Sequence, residues 1–210
     1  MAGVFDPLGL AAPSIIKAKI MMQKLSIANS NWDDPINDQE VKWWKEWLTN
    51  LHWLETVKVS RCIIPFTEGG ETELHIFNDA SEEAFASVAY VRIVKNGKYI
   101  SSNIILSKTR VAPKKTISVA KLELQAALLG ARIAAAIQEE MKVTFSRIVF
   151  WTDSSIVRNW IRNTASQYKP FVSHRIGEIQ TLTQPAEWRF VPGDQNVADL
   201  ANKDSTMFKN

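Results

Sequence analysis

The chain has 210 residues, 46% of them hydrophobic and 22% charged, a balance that excludes intrinsic disorder and suits one ordinary domain with a smaller attached unit. Its formal net charge of +3 tolerates a polyanionic partner without requiring one. One cysteine, Cys62, excludes an internal disulfide framework, and His52, His75 and His174 show no zinc-ligand spacing with it. The most apolar run, Ala126 to Ile137, is broken by Arg132 and is too short to span a bilayer. Met-Ala-Gly-Val-Phe-Asp-Pro has no basic region leading into an apolar core, so no signal peptide is expected and the chain reads as soluble and intracellular.

Along the chain, Phe5-Asp6-Pro7-Leu8-Gly9 is turn chemistry, and Pro13-Ser14 opens a helical run through Ile16, Ile20 and Leu25. Trp32-Asp33-Asp34-Pro35 breaks that run. A second helix is expected from near Asp38, with Val41, Trp44, Leu48 and Leu51 on one face. Trp43, Trp44 and Trp47 could stack on bases, but their helical spacing favours packing inside a small unit. Thr67-Glu68-Gly69-Gly70-Glu71 is the best boundary in the chain. It separates a helical segment, residues 1–66, from a domain spanning residues 70–210.

From Thr72 the pattern becomes one of short strands. The first ends at Asp79. The second, Ala84 to Val94, turns at Asn96-Gly97 into a third, Tyr99 to Leu106. A long helix follows from about Val119 to Met141, with Ser118 as N-cap and Leu122, Ala126, Leu129, Ile133 and Ile137 as the core-facing stripe. Positions 123, 127, 130, 131 and 134 share another face, which beyond Glu123 holds only Ala and Gly. The helix can therefore approach another element closely there. Next come a buried strand, Ile148 to Trp151, helices from Ser155 to Asn163 and from about Lys169 to Leu182, a strand from Glu187 to Val191, and a short helix after Asn196. The order βββαβααβα makes a mixed five-stranded sheet flanked by helices, an α/β fold.

Four carboxylates sit where strands end or helices begin: Asp79, Glu123, Asp153 and Asp199. Like charges gathered in one cleft repel and raise each other's pKa. Divalent cations remove that cost, and Mg²⁺ favours carboxylate oxygens with several waters retained. Two ions roughly 3.5–4 Å apart can activate a water and stabilise the leaving oxygen of a phosphodiester.

Asp79-Ala80-Ser81, Leu122-Glu123-Leu124, Thr152-Asp153-Ser154 and Asn196-Val197-Ala198-Asp199, in this order and these settings, resemble the ribonuclease H family. More narrowly, the chain resembles the Pao (BEL/Pao) class of LTR retrotransposon polyproteins. That likeness is carried by Phe5-Asp6-Pro7-Leu8-Gly9-Leu10, Trp32-Asp33-Asp34-Pro35, Ser107-Lys108-Thr109-Arg110-Val111-Ala112-Pro113 and Trp188-Arg189-Phe190-Val191-Pro192-Gly193. The resemblance implies an RNase H-like domain preceded by a thumb- or connection-like segment of a reverse transcriptase. It implies that Asp79, Glu123, Asp153 and Asp199 are the catalytic, metal-binding set for two Mg²⁺ or Mn²⁺ ions. The implied activity is endonucleolytic hydrolysis of RNA in an RNA–DNA hybrid. The implied setting is a retrotransposon polyprotein with an upstream polymerase domain, in the cytoplasm or in virus-like particles, not secreted and not in a membrane. Two departures stand out. Val191-Pro192-Gly193-Asp194-Gln195-Asn196 lacks the histidine that retroviral members carry, so no histidine role in product release carries over, and Ala120 stands where relatives often have proline. The polymerase's own aspartate motif is absent, so no DNA synthesis is expected.

Lys108, Arg110, Lys114 and Lys115 form the densest basic loop, just before the Glu123 helix, and are expected to meet phosphates. Arg158 and Arg162 offer a further backbone contact, with a solvated face as the plain alternative. Ser81 and Ser154 are expected either to touch sugar or phosphate oxygens or to cap turns. Three rival readings exist. A non-catalytic connection-type nucleic-acid-binding module would not need all four acids. An integrase or transposase places its glutamate last, whereas Glu123 falls between Asp79 and Asp153. A Pao-type aspartic peptidase needs a glycine that Asp153-Ser154-Ser155 lacks. Leu200, Ala201 and Met207 offer little apolar surface after Asp199, so that acid is expected to be the least firmly held.

Overall fold

Asn96 and Gly97 both take positive φ, 51° and 73°, the backbone a tight hairpin turn demands. They join two long antiparallel strands in the computed structural model, which describes residues 5–28, 33–65 and 67–201. Trp32, expected to break the first helix, and Met207 lie outside the described residues, as does Phe66 at the expected end of the first segment.

The sheet is built from β1 (Glu71–Ala80), β2 (Ala84–Lys95), β3 (Lys98–Val111), β4 (Arg147–Thr152) and β5 (Trp188–Phe190). Its order is β3-β2-β1-β4-β5. β2 pairs antiparallel with β1 and β3, while β4 runs parallel to β1 and β5. Helices α1 (Ala12–Ile27) and α2 (Asp38–Asn50) precede the sheet, and α3 (Val119–Glu140), α4 (Ser155–Arg162) and α5 (Pro170–Leu182) flank it. This is the mixed five-stranded sheet with flanking helices that the sequence implies. β3 runs further than expected, because its pairing with β2 continues to Ala84↔Val111. Lys108 and Arg110 therefore lie on the end of an edge strand and not in a loop. Ser118 starts α3 through its backbone, with no side-chain cap.

α3 packs across β1 and β2. Its predicted stripe is the buried one: Leu122, Ala126, Leu129, Ile133 and Ile137 are all at most 8% exposed. They join Leu74, Ile76, Phe85, Val91 and Phe150 in the main core, and each large aliphatic side chain so buried contributes roughly 1.5–3 kcal/mol. Phe150 also stacks on Trp188 of β5 at 4.7 Å. Ala86 and Val88 alternate with the core-facing residues of β2 and so point to the other face, where they too are buried. There α1 packs on β3 and on a C-terminal 3-10 turn, Val197–Ala201, which in turn packs on β1 and β2.

The first helix is fastened to the sheet at several points. Ser107 N–H donates to Leu8 O (2.8 Å), occupying part of the β3 edge that would otherwise invite another strand. Gly9 lies against the Ser107 carbonyl, where a Cβ would collide. Gln23 donates to Ala112 O, Lys114 Nζ donates to Ser26 Oγ, and Lys24 pairs with Glu83 at 2.6 Å. α2 begins in a capping box between Asn37 and Glu40, yet none of its residues is buried. The expectation that its tryptophans form a core is corrected here. Trp43 and Trp47 stack parallel with Trp44 edge-on to both, and Trp47 donates to Ser14 O of α1. Among the described residues the helix has too little opposite it to exclude water. Among the described residues no helix is long and apolar enough to cross a membrane.

Candidate functional site

Asp79 is the penultimate residue of β1, Asp153 follows the last residue of β4, and Glu123 lies in the second turn of α3. Parallel pairing of β1 with β4 brings the two strand ends side by side, Asn78 opposite Thr152. One carboxylate oxygen from each of Asp79, Glu123 and Asp153 lies within 4.8 Å of the others.

Glu123 reaches this point because α3 comes very close to β1. A Cβ on Gly130 would collide with Asn78 Oδ1 and stand 2.9 Å from Ser87 Oγ. The small face predicted around Gly130 therefore has a physical use: only hydrogen fits between helix and strand. Asn78, fully buried, is fixed from three sides. It donates to Trp151 O (3.0 Å), accepts from Ser87 Oγ (2.9 Å), and its carbonyl accepts from Asn196 Nδ2 (3.0 Å).

That last bond positions the fourth acid. Asn196 is 3% exposed. Its Oδ1 accepts from Ala198 N, and its carbonyl accepts from Asp199 N at 3.0 Å. Asp199 thus sits on a turn riveted to β1, close enough to act on Glu123 electrostatically. Among the described residues the group converging within 4.8 Å holds Asp79, Glu123 and Asp153, and for Asp199, expected to be the least firmly held acid, this polar tie is the anchor. Leu200 is indeed exposed, but a buried amide replaces the missing apolar dock.

Burial pushes the Glu123 carboxyl up to about 9, with Asp79 and Asp153 next in effect; Asp199 adds to this, and a backbone N–H at Ala80 partly offsets it. Glu123 Oε2 and Asp153 Oδ1 are buried without a hydrogen-bond partner. Buried, convergent carboxylate oxygens with unfilled valence fit a hard divalent cation, whose charge would reverse the repulsion.

The basic residues fall on two flanks. Lys108 and Arg110 are exposed at the end of β3, with Thr109 two strands across from Asp79 through Ala86, roughly 10 Å away. They line a cavity of about 780 Å³ between α1 and β3, joined by Lys19, which the sequence does not single out. Lys115 is exposed in the connection to α3, while Lys114 is engaged with Ser26. On the other flank Arg158 sits on α4, its guanidinium 6.0 Å from the Phe190 ring, and Arg162 donates to Trp188 O. Ser81 and Ser154 are capping residues: Ser81 Oγ accepts from Glu83 N and Ala84 N, and Ser154 Oγ accepts from Val157 N at the start of α4. Asn78 and Asn196 are positioning residues that sequence reasoning misses. Asn196 stands inside one of the four short motifs, but nothing periodic marks either residue.

The model of the Pao retrotransposon-like RNaseH-like domain family matches residues 1–154. No curated protein sequence matches the chain. Among solved structures, the chain is similar to RNase H1 from the halophilic archaeon Halobacterium salinarum, at 13% identity and TM-score 0.38, covering 61% of this chain and 90% of that one. It is similar to LC11-RNase H1 in complex with an RNA/DNA hybrid, at 12% identity and TM-score 0.40, covering 61% and 91%. It is also similar to the prototype foamy virus protease-reverse transcriptase, at 12% identity and TM-score 0.35, covering 69% of this chain and 21% of that one.

Proposed function

The chain belongs to the family of Pao retrotransposon-like RNaseH-like domains, and from that premise we propose that it is the ribonuclease H of a retrotransposon reverse transcriptase, a metal-dependent endonuclease acting on the RNA of RNA–DNA hybrids. The observation that carries this reading is the convergence of Asp79, Glu123 and Asp153 within 4.8 Å, with Glu123 raised to about 9. Such a cluster is unfavourable as a merely structural feature and suits a cation site.

Asp79, Glu123, Asp153 and Asp199 would hold two Mg²⁺ or Mn²⁺ ions, which when bound supply an activated water and stabilise charge on the phosphate and leaving oxygens. The residues of the chain do the rest. Asp79, near the end of β1, and Asp153, just after β4, stand on neighbouring paired strands, the kind of support a preorganised site requires. Lys108, Arg110 and Lys115 on one flank, with Arg158 and Arg162 on the other, would take the phosphates of a duplex laid over the carboxylates. Ser81 and Ser154 hold the hairpin turn and the start of α4 that border the site. The 2′-OH would distinguish the RNA strand from DNA. The first 66 residues are read as a thumb- or connection-like segment leading from a polymerase domain of the same cytoplasmic polyprotein.

A labelled RNA–DNA hybrid, incubated with the full chain with and without Mg²⁺, tests the proposal. Cutting of the hybrid's RNA, and not of RNA duplex or DNA duplex, is expected only with metal. A folded protein that binds the hybrid but leaves it intact with Mg²⁺ and with Mn²⁺ would be a binding module instead.

A further inference from the structure

The sheet face opposite the main core carries a cluster that hydrolysis at the carboxylates does not use. Phe77 of β1 alternates with core-facing Ile76 and so points to that face. Its register partner Trp151 stacks on it at 6.0 Å and 14°, and Tyr90 meets Phe77 edge-on at 6.1 Å. His75 lies parallel to Trp151. Trp151 Nε1 donates to His75 Nδ1 (3.0 Å), leaving the other ring nitrogen to donate to Glu73 Oε2 at 3.0 Å. Burial, the largest effect on His75, favours this neutral form. The polar groups beneath the rings are therefore satisfied internally, and the rings are held in place.

Above them opens a cavity of about 370 Å³, rimmed by Tyr99, Ser102 and Val197, within the range of roughly 300–1,000 Å³ typical of small-ligand sites. The same face carries arginines. Glu73 pairs in register with Arg92 on β2 and Arg147 on β4, and Trp151 pairs with Arg189 on β5. Three arginines thus flank Glu73, which Arg92 approaches at 3.5 Å, while Glu71 and Asp79 lie further along the same face of β1. Arg147 and Arg189 are exposed, and Tyr99 is 58% exposed.

We propose that this face binds single-stranded nucleic acid, unpaired bases stacking in the aromatic cavity and the arginines taking phosphates. Fixed rings interleaved with arginines are the chemistry of sequence-tolerant single-strand binding. A duplex hides the base faces that such rings engage, so the ligand is unpaired. The site lies beside the carboxylates: Phe77 is two residues from Asp79 along β1, and Val197 two residues from Asp199. It goes beyond the hydrolase reading and does not require it.

The test is fluorescence anisotropy of a labelled oligothymidylate with the full chain in EDTA, with and without saturating unlabelled RNA–DNA hybrid. The oligonucleotide is expected to bind in both cases. The double variant Tyr99→Ala/Arg189→Ala, exposed and outside the hydrogen bonds that hold the rings, should weaken single-strand binding about tenfold while leaving hybrid affinity unchanged. Ultraviolet crosslinks of the strand should fall on Phe77, Tyr99 or Trp151. Displacement of the oligonucleotide by the hybrid would overturn the proposal. Unchanged affinity in the folded double variant would also overturn it and leave the face to a protein partner. A chain that binds the single strand as described but never cuts the hybrid would sink the hydrolase reading alone.

Discussion

Glu123 and Asp199, close enough to act on one another electrostatically, are placed by opposite means. Glu123 rides a 22-residue helix whose apolar stripe is buried against the sheet and whose Gly130 lets it settle onto Asn78. Asp199 sits on a five-residue 3-10 turn with an exposed Leu200, held by the buried amide of Asn196. Apolar packing is spread over many residues and tolerates small losses. A polar rivet concentrates positioning in one side chain, whose loss leaves a buried carbonyl unsatisfied. The two halves of the site should therefore fail differently when perturbed.

The largest effect is expected at the carboxylates themselves. Asp153→Asn should keep the fold and lower hybrid cleavage by several orders of magnitude, read as initial rate at matched protein and metal concentrations. Undiminished metal-dependent cutting by the folded variant would remove Asp153 from the site. Gly130→Ala comes next, and it attacks the packed half. Its methyl collides with Asn78, and overpacking of this kind costs about 1–3 kcal/mol, occasionally more. Denaturant melts should shift accordingly, and wild-type stability would show that α3 can stand off the strand.

Asn196→Ala attacks the riveted half. Removing the bonds to Asn78 O and Ala198 N should cost about 1–3 kcal/mol. It should also depress Mg²⁺-supported cleavage more than Mn²⁺-supported cleavage, because Mg²⁺ is the stricter of the two in geometry. Equal loss with both metals would mean that the amide serves stability and not ligand placement.

The protonation of Glu123 separates charge from packing. Its folded pKa, about 9, exceeds the unfolded value of about 4.3. Between those values the folded state holds the extra proton, so metal-free stability should fall as pH rises through that window. Glu123→Gln should remove this slope in melts run in EDTA, and an identical slope in the variant would assign it to other groups. The smallest effect is expected on the basic flank. Lys108→Ala/Arg110→Ala should flatten the dependence of hybrid affinity on salt, by about one unit of slope for each phosphate that is no longer neutralised. Lys114→Ala should do less, because that ammonium already donates to Ser26.

Legibility follows the same division. α3 is readable because periodicity marks both its buried stripe and its small face. The Asn96-Gly97 hairpin is readable because both residues tolerate the positive φ the turn needs. β3 reads short because Lys108 and Arg110 look like loop residues, whereas an edge strand leaves such side chains in water while its backbone still pairs with β2. α2 reads correctly as a helix and wrongly as core. Spacing shows which residues share a face, but not whether anything stands opposite. Asn196 escapes because a single polar residue that bonds across 118 positions to Asn78 has no local pattern.

Local spacing and short motifs are enough to read the element order, the α3 stripe, the family resemblance and the four candidate acids, because each is written in neighbouring residues. Only tertiary contacts bring Asp79, Glu123 and Asp153 within 4.8 Å of one another and tie the Asn196 turn ahead of Asp199 to β1. They also lay α1 against the sheet and gather Phe77, Tyr90 and Trp151 into one aromatic cluster beside Arg92, Arg147 and Arg189. These facts depend on strand register and on contacts between residues far apart in the chain, which hydrophobic burial and buried hydrogen bonds select only when the whole fold assembles.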